Sequence, residues 1–194
     1  MSVFGNQNIG ASWLNISGSS GVLGSKATLA EAGIITSITA YFGQDSGSGS
    51  YSFALYTVTG GGDGALVGYT APAAIISAYD WRTQNLVTPY VAVAGDFYLE
   101  IWTNGTAVYT KYDASGVFSI MSVPGTFPTW PNPLLGSEFT GLVSIYATYT
   151  TGGASITPTP NALAGTFALA VPSISVTTNL ASGAHVSTIV KMNY

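Results

Sequence analysis

Leu23-Gly24-Ser25-Lys26-Ala27-Thr28-Leu29-Ala30-Glu31-Ala32-Gly33-Ile34-Ile35-Thr36-Ser37-Ile38-Thr39-Ala40-Tyr41-Phe42 decides the fold class. Leu23, Ser25, Ala27 and Leu29 alternate with Gly24, Lys26 and Thr28; Ile34, Thr36, Ile38, Ala40 and Phe42 alternate with Ile35, Ser37, Thr39 and Tyr41. A period of two sends successive side chains to opposite faces of a strand, whereas a helix needs apolar residues at three- and four-residue spacing. Glu31-Ala32-Gly33 punctuates the two runs. The surroundings agree, because Thr, Val, Ile, Tyr and Gly abound while the helix-favouring Glu, Lys, Arg and Gln are scarce.

Outward from this stretch, further strands are expected at 51–58, around 79–87, and at 89–94, 97–103, 107–112, 117–122 and 142–150. Turn chemistry separates them: Ser46-Gly47-Ser48-Gly49, Gly60-Gly61-Gly62-Asp63-Gly64, Ala94-Gly95-Asp96, Asn104-Gly105 and Asp113-Ala114-Ser115-Gly116. Asn104-Gly105 is the strongest hairpin signal, since a type I′ turn needs positive φ at both central residues. Many short strands divided by turns predict an all-β fold, an antiparallel β-sandwich or jelly roll, over residues 1–150.

Composition shifts after Thr150. Residues 151–165 read as a Gly/Pro/Thr linker, because Pro158 and Pro160 remove ladder donors and bias their predecessors to extended geometry. Residues 166–194 return to strand-like alternation in Phe167/Leu169/Val171, Ile174/Val176 and Val186/Thr188/Val190/Met192, forming an extended strand-forming tail. Two or three strands cannot bury an apolar face by themselves. The linker, extended at about 3.3 Å per residue, reaches roughly 46 Å, farther than the roughly 38 Å diameter of a compact domain of about 150 residues. The tail is therefore expected to dock either on another copy or on its own sheet. Donation to another copy is preferred, with Phe167, Leu169, Val171, Ile174 and Val176 as the inserted side chains. The stretch 2–16 is the other candidate donor.

Phe4-Gly5-Asn6, the run Leu23–Gly33, Ala54-Leu55-Tyr56 with its following Gly-rich turn and Gly64-Ala65-Leu66, Phe97-Tyr98-Leu99-Glu100-Ile101-Trp102, and Ser144-Ile145-Tyr146-Ala147-Thr148-Tyr149 carry a resemblance. Residues 1–150 resemble β-sandwich modules of bacterial surface and phage structural proteins. Ala164–Pro172 is similar to segments that follow or repeat in such proteins. The resemblance implies a sandwich that includes the N-terminal stretch, and an external or virion-associated structural role. It implies no catalytic residue.

The 194 residues hold four Lys+Arg and eight Asp+Glu, a charged fraction of 6% against 47% hydrophobic and 12% aromatic. An ordinary soluble domain is about 25% charged. Disorder is excluded by the hydrophobic content. With a formal charge of −4 and only Lys26, Arg82, Lys111 and Lys191 as cations, the chain does not suit a phosphate backbone, so no nucleic-acid partner is expected. No apolar run approaches the ~20 residues of a spanning helix, and no membrane span is expected. Strands of roughly 9–11 residues would be required for an outer-membrane barrel, and most runs here are shorter and Gly-broken. The opening residues are neither basic nor continuously apolar, unlike a secretory leader, so export without a leader, a leader outside this numbering, or a virion location is expected. A surface so poor in charge leaves sandwich edges unguarded, which suits burial in an assembly.

Catalytic chemistry is sparse. There is no Cys, and His185 is the one histidine, so thiolate and His-cluster metal sites are excluded and a Ser-His-Asp triad has one candidate base, placed in the tail. Asp96 and Glu100 share strand parity but stand about 13 Å apart by strand rise, too far for glycosidase carboxylates. Gly60-Gly61-Gly62-Asp63-Gly64-Ala65 lacks the following helix that a dinucleotide site needs and reads as a hairpin loop. Asp45, Asp63, Asp80 and Asp113 fall in or near loops without EF-hand spacing and read as surface carboxylates rather than calcium ligands. No catalytic residue, metal or cofactor is expected.

Aromatic residues offer the handle for binding. Trp130, within Phe127-Pro128-Thr129-Trp130-Pro131-Asn132-Pro133, is either a cap on one end of the sandwich or an outward platform for a glycan. Trp13, Trp81 and Trp102 lie in strand patterns and are expected in the core or at subunit contacts. Asn15-Ile16-Ser17 and Asn104-Gly105-Thr106 match the N-glycosylation pattern at Asn15 and Asn104. The sequence thus predicts a non-enzymatic, extracellular or viral filament subunit that assembles with itself by strand donation; the alternative is a carbohydrate-binding adhesion module.

Overall fold

The structure, a computed structural model, describes residues 1–18, 21–60, 63–122, 126–135, 137–151, 177–178 and 186–187. The chain divides into two compact units, Met1–Ser155 and Ile156–Tyr194. The first holds twelve strands: β1 (Ser2–Gly5), β2 (Ser12–Asn15), β3 (Gly21–Leu29), β4 (Gly33–Gln44), β5 (Ser50–Gly60), β6 (Asp63–Tyr69), β7 (Ala73–Ala74), β8 (Asp80–Ala92), β9 (Gly95–Thr103), β10 (Val108–Ser122), β11 (Ser137–Val143) and β12 (Ile145–Thr150). In the second unit β13 (Thr177–Thr178) pairs antiparallel with β14 (Val186–Ser187). Phe167, Leu169, Val171, Ile174, Val176, His185 and the linker beyond Thr151 lie outside the described residues.

The first unit is an antiparallel β-sandwich. One layer runs β1-β12-β4-β8 and the other β6-β5-β9-β3, continuing through the second half of β10 to β11. β10 joins them. Its start, Val108–Thr110, pairs with Gln44–Phe42 of β4, while Phe118–Ser122 pair with Ser25–Gly21 of β3. Between Asp113 and Val117 its register against β11 shifts. The expected turn at 113–116 is therefore an irregularity inside one continuous strand. Extra residues on one side of a ladder bend and twist the strand, which is how a strand leaves one sheet for another.

Inward residues fill the space between layers: Ile35, Ile38, Ala40 and Phe42 from β4, Ile145, Ala147 and Tyr149 from β12, Phe53 and Leu55 from β5, and Phe97, Leu99 and Ile101 from β9. Phe42 meets Phe53 edge-on at 6.2 Å across the layers, and Phe4 of β1 meets Phe97 at 5.9 Å. β1 lies alongside β12 with Ser2 opposite Tyr149, so the N-terminal stretch is part of the sandwich. A register shift between Ile35 and Ser37 buries Ile35 in phase with Ile38 and leaves Ile34 exposed. That shift inverts the first turn of the simple alternation expected for 34–42.

The second layer is buried on both faces. Beyond the main core, Ala54 and Tyr56 of β5, Tyr98 and Trp102 of β9 and Val22 of β3 form a second cluster with Trp130 and Leu134 of the strap 126–135. Trp130 packs edge-on against Trp102 at 5.5 Å and donates from Nε1 to Ser52 Oγ at 3.1 Å. The Tyr56 hydroxyl donates to Pro131 O at 2.9 Å, and Leu134 exchanges backbone hydrogen bonds with Gly64 at 2.7 and 3.0 Å. Glu100 is fully buried on this face. Gly24 makes room for it, since a Cβ there would lie 2.6 Å from Glu100 Oε2 and collide with the Leu99 carbonyl.

Three expected boundaries move. The runs 79–87 and 89–94 are one strand, β8, whose residues between Asn85 and Tyr90 loop out against β4; Pro89 sits in that irregularity, where no ladder donor is required. The run 142–150 breaks at Ser144 into β11 and β12. Asn104-Gly105 is not a hairpin turn: β9 pairs with β3 and β5, never with β10. The chain crosses between layers here, with Asn104 Oδ1 accepting from Ser50 N at 2.7 Å and the positive φ, 52°, falling on Ala107. Glycine is needed at 49 for closeness, because the Gly105 Cα occupies the space a Cβ on Gly49 would take.

Trp130→Ala removes a large ring from a sealed cluster together with its hydrogen bond to Ser52, so it lowers the unfolding free energy by about 3–5 kcal/mol in equilibrium denaturation. Leu135→Ala, at a position 65% exposed, changes it by no more than about 0.5 kcal/mol.

Candidate functional site

The outer face of the first layer has no strap among the described residues. On β4 the parity that buries Ala40 and Phe42 turns Tyr41 and Gly43 outward. Register then assembles neighbours around them. Trp81 of β8 stands opposite Tyr41, Tyr109 of β10 opposite Gly43, and Trp13 of β2 opposite Lys111 of β10. Tyr146 of β12 joins the same face opposite Thr39.

Two aromatic groups result. At one end the Tyr79 ring lies across Gly43, where a Cβ would sit 2.7 Å from its Cδ1. Tyr79 meets Trp13 at 4.6 Å between ring centroids, at 60°. Its hydroxyl donates to Asp45 Oδ1 at 2.5 Å. Trp13, Asp45, Tyr79 and Tyr109 enclose an open cavity of about 310 Å³. Lys111 Nζ lies 4.0 Å from the Trp13 ring centroid, a cation–π arrangement, and donates to Ala11 O at 3.2 Å. At the other end Trp81 packs against Tyr41 at 5.6 Å and Tyr146 at 5.4 Å. Trp13 is 49% exposed; the others are half-buried.

Burial raises the Tyr79 phenol well above the ordinary tyrosine range, helped by its hydrogen bond to Asp45 and by the Asp45 charge. Tyr79 therefore stays a donor and holds Asp45 in place. An ionised carboxylate accepts about four hydrogen bonds, so Asp45 has capacity for further donors from a ligand. An aromatic wall, a carboxylate acceptor and an ammonium donor thus surround one open cavity. Burial, with the Glu100 charge second, likewise raises the Tyr56 phenol under the strap.

The sequence-predicted residues are dispersed. Trp130 is 8% exposed and turned into the second cluster, which corrects the outward-platform reading: the prolines around it shape a strap, not a display loop. Trp102 is core, while Trp13 and Trp81 lie on the outer face. Asn15 and Asn104 are exposed; Asn15 Oδ1 accepts from Ser17 N at 2.8 Å. Asp96 is exposed and accepts from Thr28 Oγ1 at 2.6 Å, whereas Glu100 is buried, so the two do not share access to one substrate. Asp113 accepts from Ala11 N, Asp80 from Trp81 N and Asp45 from Tyr79. No group of three metal-ligating side chains occurs among the described residues. Gly60 and Asp63 close the β5–β6 hairpin. No helix among the described residues is long and apolar enough to cross a membrane.

The assembled face was missed because its aromatics come from five places in the chain. One signal for it existed: Tyr41 occupies the non-core parity of the 34–42 run. No protein-family model and no curated protein matches the sequence.

In an ultraviolet titration, Tyr79 and Tyr56 ionise after the exposed tyrosines, and Tyr79→Phe removes one late-ionising phenol. Because the folded-state pKa is raised, the stability these phenols contribute is complete below the unfolded value of about 10 and is lost as pH climbs towards the folded one. Alkaline unfolding should follow that direction.

Proposed function

We propose that this chain is a non-enzymatic β-sandwich module of an extracellular surface or virion that binds saccharides on the outer face of its first layer. The observation that carries this reading is the cavity of about 310 Å³ where Trp13 and Tyr79 stand beside Asp45. A sugar ring combines an apolar C–H face with a rim of hydroxyls. Rigid aromatic rings offer apolar area at low entropic cost, Asp45 accepts from hydroxyls, and Lys111 donates to them. Binding here does not depend on the buried strap around Trp130. The external location is supported by the low charge and by the resemblance to surface and phage modules. Trp13→Ala is expected to lower retention on an immobilised glycan at least tenfold, about 1.4 kcal/mol, with an unchanged unfolding midpoint. A glycan array on which the native chain finds no ligand defeats the reading.

A second reading, a filament subunit, is favoured by the sparsely paired side of β8, which the end of β6 approaches without forming a ladder. β8 pairs with β4 along one side; on the other the described residues place a single bridge, Thr70↔Leu86. Val87, Val91 and Val93 are exposed there, and no charged residue lies between Arg82 and Asp96. Uncharged, open edges accept added strands. The tail residues Phe167, Leu169, Val171, Ile174 and Val176 would supply the donor from another copy. A lysine at the edge, Val91→Lys in the full chain, is then expected to abolish concentration-dependent assembly in light scattering and negative-stain microscopy. Unchanged assembly removes β8 as the acceptor.

A further inference from the structure

We infer that the outer face binds an extended, neutral glycan chain across two subsites, the second formed by Trp81 with Tyr41 and Tyr146. This deepens the saccharide reading and rests on it. The argument is the row of backbone positions that links the two aromatic groups. Trp13 pairs with Lys111, the Lys111 carbonyl accepts from Ser144 N at 3.0 Å, the Ser144 carbonyl accepts from Tyr41 N at 2.9 Å, and Tyr41 pairs with Trp81. By the direct pairing of β10 with β4 or by the route through Ser144, three to four strand spacings of about 4.8 Å put the backbones of Trp13 and Trp81 roughly 14–19 Å apart along the face. No single sugar ring spans that distance; a short chain does.

The ground between the groups suits a chain lying flat. Gly43 contributes no side chain, and the Tyr79 ring covers it, so the aromatic surface continues inward from Trp13 instead of ending in a wall. The second group also has polar company of the right kind. Thr83, two residues beyond Trp81 on the same face of β8, pairs its hydroxyl with that of Thr39 at 2.8 Å. Those hydroxyls can donate to or accept from a ligand. Charge argues for a neutral ligand. The face carries Asp45 at one end and Lys111 beside Trp13, with Asp113 two residues farther along β10 accepting from Ala11 N, and no cationic cluster among the described residues that would select a sulfated or uronic-acid polymer.

The test uses the full chain and ladders of cello-, xylo-, chito- and malto-oligosaccharides, from monosaccharide to hexasaccharide, in titration calorimetry. Affinity for the recognised ladder should rise at least tenfold between the disaccharide and the hexasaccharide. Trp81→Ala should cancel that gain in affinity with length, while Trp81→Phe should keep most of it. Trp13→Ala should weaken every rung. Binding whose strength is independent of length, or a hexasaccharide affinity untouched by Trp81→Ala, overturns the two-subsite inference and leaves the saccharide site at Trp13 standing. Failure of the native chain to bind any ladder overturns both. A change in oligomeric state on Trp81→Ala, seen by size-exclusion chromatography, overturns it as well, by making the face a contact between copies.

Discussion

β5, β9 and β3 carry apolar and aromatic side chains on both of their faces, and a sheet so built must be covered twice. One cover is the opposing layer; the other is the strap that lays Trp130 and Leu134 over Tyr56, Tyr98 and Trp102. Much else follows from that double burial. Gly24 is obligatory because a Cβ there would collide with the Leu99 carbonyl and the buried Glu100 carboxylate, and Ser52 accepts from the Trp130 indole. The strap consumes the aromatics of one outer face within the chain itself. The first layer has the reverse arrangement, with one buried face and one aromatic face open. The asymmetry between the two outer faces, more than any single residue, is what leaves one set of aromatic rings uncovered among the described residues.

β10 holds this asymmetry in register. By pairing with β4 at its start and with β3 at its end, it fixes the layers relative to each other through main-chain hydrogen bonds as well as side-chain packing. It also positions Tyr109 and Lys111 on the open face before it departs for the second layer.

Legibility in the sequence tracked the range of the interaction. β3 and β4 were readable from alternation because one face of each run is apolar, and the sandwich followed from the number of such runs. β9 was readable as a strand, but Phe97-Tyr98-Leu99-Glu100-Ile101-Trp102 is nearly continuous in apolar character, a mark of burial on both faces that alternation counting passes over. Asn104-Gly105 misled because local turn preference yielded to a close backbone approach with Gly49, which is a tertiary fact. β1 and β2 were too short to announce themselves. The cleft lay beyond reach for a different reason: Trp13, Tyr41, Tyr79, Tyr109 and Tyr146 converge only through a strand order that the sequence does not encode locally. Trp130 shows the converse, a conspicuous proline-framed aromatic whose surroundings turn it inward.

The pairing of β1 with β12 has a mechanical side. Ser2 stands opposite Tyr149 and Gly5 opposite Tyr146, so the chain enters and leaves the sandwich at one corner. Tension drawn between those two points would part the β1–β12 ladder one hydrogen bond at a time, as a zipper opens, and would not load the ladder in shear. At the other end of the pull β12 is held by its second ladder, with Thr150 opposite Ile34 of β4, whereas β1 has β12 as its one ladder partner. A module tethered in this manner gives up its outermost strand at low force while its aromatic face, anchored on β4, β8 and β10, stays whole.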